Sequence, residues 1–334
     1  MLDVTYYRLP DSSVYHVVRG KAETFESLPD LEHCEGFIMA PFSVGSDTPY
    51  VVIPPQISSV HHVPSRVKKY ELHWTEMDNK TLYKQNFHDM HAMLEKDILD
   101  KVVLSRRVDC RIDDWSCTPE QLFRKACVMY PHQMTAMVVT DVTGIWFMST
   151  PEVLLKRNEE HWETMALAGT KPLATDEPWG EKEIREQQLV VDYISSTIKP
   201  LVAEMNIGEP YTSYAARLRH RRTDISFRLC DGATVNNLIE VLHPTPAVCG
   251  LPKDTAFGAI RSFESIDRRY YSGFCGPWGI GGDNALYVSL RCMEIEGDRN
   301  FHLYAGGGLL KESDARSEWM ETEDKMNTMR NVLR

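Results

Sequence analysis

No Cys-x-x-Cys pair and no zinc-ligand spacing occurs among the eight cysteines (34, 110, 117, 127, 230, 249, 275 and 292). That pattern favours reduced thiols over a disulfide frame and offers no zinc site. Long apolar runs are missing too. Nothing approaches the roughly eighteen residues of a membrane span, and the N-terminal MLDVTYYRLP lacks the charged-then-apolar pattern of a signal peptide. A cytoplasmic protein with no membrane partner is the expectation. Positive charge is in short supply: 37 Lys and Arg against 48 Asp and Glu give a net charge of −11. The chain therefore has no broad basic face for nucleic acid. Neither a repeat of about 20 to 50 residues nor a low-complexity segment is present. What remains is an ordinary globular composition, 334 residues with 43% apolar, able to bury a full core as one compact domain spanning 1–334. Small anionic substrates stay possible wherever local cations can receive them.

Residues 1 to 75 contain Pro54, Pro55 and Pro64 and no long periodic segment, so they read as strands and loops. Leu82, Phe87, Met90, Leu94 and Ile98 then recur at helical spacing. KVVLSRRVDC follows as a buried strand that starts at Lys101, a position where lysine also commonly serves as a surface end-of-strand charge. Thr118-Pro119-Glu120-Gln121 is a helix start, with a threonine cap, proline in the first turn and glutamine three after the cap. The strands MTAMVVTD and GIWFMST pair around Gly144, and the second runs into Glu152, which reads equally as a helix N-terminal glutamate. HWETMALAGT ends in Gly169-Thr170, a small-residue turn whose N–H groups could meet an anion.

The longest helical signal lies between Trp179 and Met205, with Glu183 and Glu186 three apart near its start. RLRHRRT (217–223) reads as a solvated loop or strand edge. His243 is held by a loop with prolines on both sides of Thr245. YYSGFCGPWG and ALYVSLRCMEI read as strands, the second placing Arg291 in an apolar stretch where an unpaired guanidinium would be costly. Gly306, Gly307 and Gly308 follow an apolar run as a sharp turn into a helix that opens near Ser313 and Asp314. On that helix Glu318, Glu321 and Lys325 share one face. Carboxylates at that spacing suit Mg2+, and they suit a solvated Glu/Lys face as well. The repeat of the acidic pair on a second helix points toward a shared cation.

Taken together the segments KVVLSR (101–106), STPE (149–152), LAGT (167–170), EIREQQLVVD (183–192), LHPTPAVCGLPK (242–253), YYSGFCG (270–276), LYVSLR (286–291) and AGGGLLKESDARSEWMETEDK (305–325) resemble the chorismate-utilising enzymes. Within them the resemblance is to isochorismate synthases. It covers residues 101–325 in the family's order, with 1–100 less typical. It implies an α+β fold of four α/β/β/α layers with two large, mainly antiparallel sheets, and Mg2+-dependent conversion of chorismate to isochorismate for menaquinone or siderophore synthesis. The implied chain is a monomer or homodimer with no nucleic-acid partner.

The resemblance also implies roles. Lys101 would be the general base toward water, and Glu152 the general acid toward the C4 hydroxyl. Glu186 and Glu321 would bind Mg2+ directly, with Glu183 and Glu318 holding its waters. Gly169, Thr170 and Lys325 would lie about the ring carboxylate; Arg291, Tyr271 and Gly306 to Gly308 would face the enolpyruvyl carboxylate; His243 would stand beside the ring. For Lys101 to act as base it must be neutral part of the time, and Glu152 must be protonated. Ala168, where aminodeoxychorismate synthases carry a lysine, and Lys101, where ammonia-using relatives carry glutamine, favour water as nucleophile. The rivals are a salicylate synthase that goes on to eliminate pyruvate, an ammonia-dependent synthase of the anthranilate type, and a catalytically dead binder of an anionic metabolite.

Overall fold

The computed structural model describes residues 2–68, 72–77, 79–174 and 177–334. Strands β1 (Asp3–Arg8), β2 (Val14–Gly20), β3 (Glu23–Phe25), β4 (Gly36–Ala40), β5 (Tyr50–Ile53), β6 (Ile57–His62) and β7 (Trp74–Glu76) precede helix α1 (Lys80–Glu95). β8 (Lys101–Ile112), α2 (Pro119–Met129), β9 (Met134–Thr140), β10 (Gly144–Thr150), β11 (Val153–Asn158), β12 (His161–Pro172) and α3 (Glu181–Ile198) follow. Then come β13 (Val202–Ile207), β14 (Tyr211–Ala215), β15 (Leu218–Leu229), α4 (Val235–Leu242), β16 (Gly250–Leu251) and α5 (Lys253–Phe263). β17 (Phe274–Ile280), β18 (Asp283–Val288), β19 (Cys292–Glu296), β20 (Asn300–Leu309) and α6 (Ala315–Leu333) complete the chain.

The strands form two sheets. The first runs β16-β8-β20-β19-β10-β9-β1-β2-β6, with β7 beside β8; the second runs β13-β15-β12-β11-β18-β17-β4-β5-β3, with β14 beside β15. Alternation along each strand decides what lies between them. On β10, Trp146 and Met148 point into a core that also takes Phe37 and Met39 of β4 and Cys275 of β17, and so fills the space between the sheets. Phe147, between them in sequence, joins Phe123 of α2 and Met326 and Met329 of α6 on the outer face of the first sheet. Val190 and Ile194 of α3 with Leu238 and Ile239 of α4 cover the outer face of the second. Each such apolar side chain taken out of water contributes about 1.5–3 kcal/mol. The result is the expected α/β/β/α order, with α1 and α5 packed together over the β8 end of the first sheet. All eight cysteines are unpaired. Among the described residues no helix is long and apolar enough to cross a membrane.

Several local expectations need correction. α3 ends at Ile198, and Val202 begins a strand, since Pro200 interrupts the helical hydrogen bonding. Gly306 to Gly308 make no turn: β20 continues straight through them in register with Ser105, Leu104 and Val103 of β8. Gly169 is a bulge inside β12 rather than its end, with φ of +70° and the register slipping between Ala168 and Thr170. Residues 217–223 belong mostly to β15, which is paired on both sides by β12 and by β13 and β14, so they are not a solvated edge. Residues 270–273 form a turn ahead of β17.

Most consequential, ALYVSLRCMEI is not one strand. β18 lies in the second sheet and β19 in the first, so Ser289 to Arg291 carry the chain from one to the other, with Arg291 at φ of +51°. The β10 to β11 connection at Pro151 and Glu152 makes the same passage. The two crossovers lie side by side: Thr150 Oγ1 donates to Val288 O (2.7 Å), and Val288 N donates to Glu152 O (3.0 Å).

Candidate active site

The paired crossovers place Glu152 and Arg291 in the wall of a cavity. β12 adds Ala168, Gly169 and Thr170; α3 adds Glu186; β15 adds His220; β20 and α6 add Gly306, Gly308 and Lys325. Tyr271 comes from the turn before β17, and Val248 from the loop after α4. The cavity is about 50 Å³.

Lys101 opens β8 and is fully buried, not a surface charge, and its Nζ lies 3.1 Å from Glu186 Oε1. Glycine at 308 makes that approach possible, because a Cβ there would overlap Glu186 Oε1 and come within 3.0 Å of Lys101 Cε. Glu152 is followed by β11, not by a helix, so no helix dipole stabilises its charge. Burial pushes its carboxyl up to about 8, a shift that Lys101, Lys325 and Arg291 oppose without cancelling. Glu152 is thus a protonated acid at neutral pH, and Lys101 is near enough for its charge to act on it.

The cations that could receive an anion are Arg291 and Lys325. Burial lowers Arg291 to about 10, which leaves it charged. Its Nη2 meets His220 Nε2 at 3.1 Å, and its Nη1 is buried with no protein partner. Lys325 Nζ donates to Glu321 Oε1 (2.6 Å) and to the carbonyl of Gly306 (2.8 Å). Tyr271, raised to about 12 by burial, stays a hydroxyl donor.

His220 is a site residue that the sequence reading missed. Its Nδ1 lies 3.2 Å from Gly169 O and 3.3 Å from Thr170 Oγ1. Burial, then Arg291 and Lys325, hold its pKa well below the usual imidazole range. The neutral ring therefore carries its proton on Nδ1 toward the β12 bulge and offers the Nε2 lone pair to Arg291. The signal was available as alternation, because Leu218 and His220 turn inward while Arg219 and Arg221 do not. His243 is placed elsewhere. It caps α4, its Nε2 lies 3.1 Å from Pro41 O, burial lowers it to about 4, and it does not line the cavity.

The carboxylates gather around β20. A Cβ on Gly307 would stand 3.0 Å from Glu318 Oε2 and 3.7 Å from Glu321 Oε1, while Gly308 faces Glu186. Burial pushes Glu321 up, but Lys325, Lys182 and Thr170 hold it below the usual carboxylate range. Burial, then Glu321, raises Glu318 to about 7. Glu318 Oε1 takes Lys182 Nζ (2.5 Å) and Ser313 Oγ (2.7 Å), leaving Oε2 buried without a partner. Glu183 stands at the start of α3, where Oε2 accepts from Gly180 N (2.8 Å) and lies 3.7 Å from Lys171. Among the described residues no three acidic, His or Cys groups form a ready-made metal cage. An all-oxygen set with one orphaned carboxylate oxygen fits a hard divalent cation that keeps waters and shares an anionic substrate.

Residues 55–334 match the family model described as chorismate binding enzyme. The vibriobactin-specific isochorismate synthase of Vibrio cholerae is 28% identical over 301 residues, covering 84% of this chain and 73% of that protein. A putative isochorismate synthase, MenF, of Mycobacterium tuberculosis is 33% identical over 254 residues, covering 70% and 68%. The crystal structure of a putative 2,3-dihydroxybenzoate-specific isochorismate synthase, DhbC, from Bacillus anthracis shares the fold, with a TM-score of 0.83 at 22% identity over 99% of this chain and 96% of that one. With a family match over most of its length, the chain belongs to the chorismate binding enzymes.

Proposed function

We propose that this protein is an isochorismate synthase, adding water at C2 of chorismate and expelling the C4 hydroxyl, for menaquinone or siderophore synthesis. The observation that carries this reading is a fully buried lysine, Lys101, 3.1 Å from the cavity-lining Glu186, with a second buried carboxyl, Glu152, in the wall of the same cavity beside Arg291, whose Nη1 has no protein partner. The names of the relatives support the same reaction.

Each residue has a step. Lys101, as the free amine, takes a proton from the attacking water as its oxygen bonds to C2. Glu152 gives its proton to the C4 oxygen, which leaves as water while the ring double bonds shift between the two positions. Arg291 Nη1, without a protein partner, pairs with one substrate carboxylate, and Lys325 with the other after letting go of Glu321. Tyr271 adds a hydroxyl donor, and Gly169 and Thr170 border the ring. Glu186 and Glu321 would hold Mg2+ directly, with Glu318 and Glu183 on its waters. The ion supplies charge that neutralises a substrate carboxylate. No lysine stands at 168: Ala168 lines the cavity, which suits water rather than an added amine as nucleophile.

Incubating purified protein with chorismate and Mg2+ and separating the products by HPLC tests the proposal, with isochorismate as the expected product. Released pyruvate with salicylate fluorescence would make it a salicylate synthase instead. Turnover only with ammonia would make it an aminating enzyme, and unchanged chorismate would remove the enzymatic reading altogether.

A further inference from the structure

Three walls of the cavity come from three separate segments, Val103 on β8, Val248 after α4, and Tyr271 before β17, of which the first two are also joined by Val103 N donating to Cys249 O (2.7 Å). All three are tied to one buried ion pair that does not line the cavity. Arg268 Nη2 donates to Val103 O (2.8 Å), Nη1 donates to Val248 O (2.6 Å), and the Arg268 carbonyl accepts from Tyr271 N (2.8 Å). Glu264 closes the set. Its Oε1 accepts from Ser105 N (2.6 Å) and from Arg268 Nη2 (2.5 Å), and its Oε2 accepts from Arg268 Nε (2.7 Å). The side chains are 1% and 2% exposed, so every bond is made out of water.

We infer that Glu264 and Arg268 are positioning residues, which hold the strand of Lys101, the loop beside Glu152 and the turn of Tyr271 in one fixed arrangement. This rests on the proposed roles of Lys101 and Glu152. The physical argument is where the pair's hydrogen bonds go: a buried ion pair often adds little stability by itself, but here its donors and acceptor are spent on the backbone of separate segments, Val103 O, Val248 O and Ser105 N. A planar guanidinium can bond two carbonyls from different segments and a carboxylate at once, which a lysine cannot. Fixing reacting groups to within a fraction of an ångström changes the rate more than substrate affinity, because the bonds at stake are those of the transition state.

The test compares Arg268→Lys and the milder Glu264→Gln with Phe123→Leu, a core truncation remote from the cavity. Steady-state kinetics, Tm and amide hydrogen exchange are measured on each full-length protein. For Arg268→Lys, kcat falls on the order of tenfold to a hundredfold while KM for chorismate stays within about threefold. Exchange speeds up in 101–106, 244–250 and 270–273 first. Phe123→Leu, at a comparable loss of Tm, leaves kcat within about twofold. If Arg268→Lys does not fold, Glu264→Gln gives the same comparison. The inference is overturned if kcat loss tracks Tm equally in all variants, or if exchange rises evenly along the chain. A wild-type protein that ignores chorismate would sink the proposed function instead, and the exchange comparison would still decide whether the ion pair ties these three segments.

Discussion

The imidazole of His220 and the guanidinium of Arg291 meet at 3.1 Å, an acceptor nitrogen against a cation with no carboxylate between them. Arg291 thereby keeps its whole positive charge for a ligand while still being oriented. His220→Leu removes the acceptor without adding charge. It is expected to raise KM for chorismate about tenfold, the effect of losing roughly 1.4 kcal/mol of orientation, with a smaller effect on kcat. Because His220 is held neutral, its contribution to stability runs in one direction: the unfolded imidazole binds a proton near pH 6.5 and the folded one does not, so stability falls as pH drops through that value. Comparing the Tm of wild type and variant at pH 5 and pH 7.5 checks the sign, since His220→Leu should lose this part of the acid sensitivity.

Glu152 titrates the other way. Its folded pKa of about 8 lies above the ordinary carboxylate value, so the folded state binds the proton more tightly than the unfolded one, and stability declines as pH rises from about 4.5 through 8. Over the upper part of that range the free enzyme also loses its proton donor, so kcat/KM should fall with an apparent pKa near 8. Glu152→Gln should abolish the stability decline, and at pH 9 it should melt higher than wild type. Its kcat should drop about a hundredfold to ten-thousandfold, the usual contribution of a general acid.

Much of this site was legible because its chemistry sits at helical spacing. Glu318, Glu321 and Lys325 must share a face of any helix that contains them, and the structure puts all three beside β20. What sequence could not give was the passage between sheets. Residues 285–295 read as one mostly apolar strand, and no glycine or proline there announces that Arg291 leaves one sheet for the other; the positive φ of a non-glycine records it. The basic run around His220 hid an inward-facing residue because four of its seven residues are arginine, and charge outweighed alternation in the reading. The triple glycine was read as a bend, although glycine inside a strand also marks close approach by another group, which is what Glu186 and Lys101 make at Gly308.

That close approach gives a sharp substitution test. Gly308→Ala sets a methyl against Glu186 Oε1 and Lys101 Cε, so one of the pair must move. Activity should fall a hundredfold or more, with the fold retained by circular dichroism. Gly258→Ala is the control: it lies within α5, nothing stands within 4 Å of the added carbon, and the helix should gain about 0.5–1 kcal/mol with activity unchanged. Equal activity in the two variants would mean that position 308 does not border the reacting groups.

Lys101 separates an enzyme from a mere binder. Lys101→Ala removes the amine and leaves Glu186 without its partner at 3.1 Å. Chorismate consumption should fall on the order of a hundredfold or more, a loss characteristic of a missing base. A variant as active as wild type would take the base role away from this residue.

The last prediction concerns the cation. Glu186, Glu318 and Glu321 bring negative charge from two helices to one short stretch of β20, and in the structure lysines 101, 182 and 325 balance it. A divalent ion that binds only the folded state raises stability by mass action, about 2.7 kcal/mol at a hundredfold excess over its Kd. Wild-type Tm should therefore climb with added Mg2+ even without substrate, and EDTA should reverse both the climb and the turnover. Glu321→Gln keeps the side chain's shape and removes one charge, so calorimetry should show Mg2+ affinity down by tenfold or more. Glu183→Gln, at a residue already occupied by Gly180 N and Lys171, should weaken it less. If both variants bind the ion as wild type does, the carboxylates around Gly307 and Gly308 serve only to neutralise the three lysines, and the ion must be sought elsewhere.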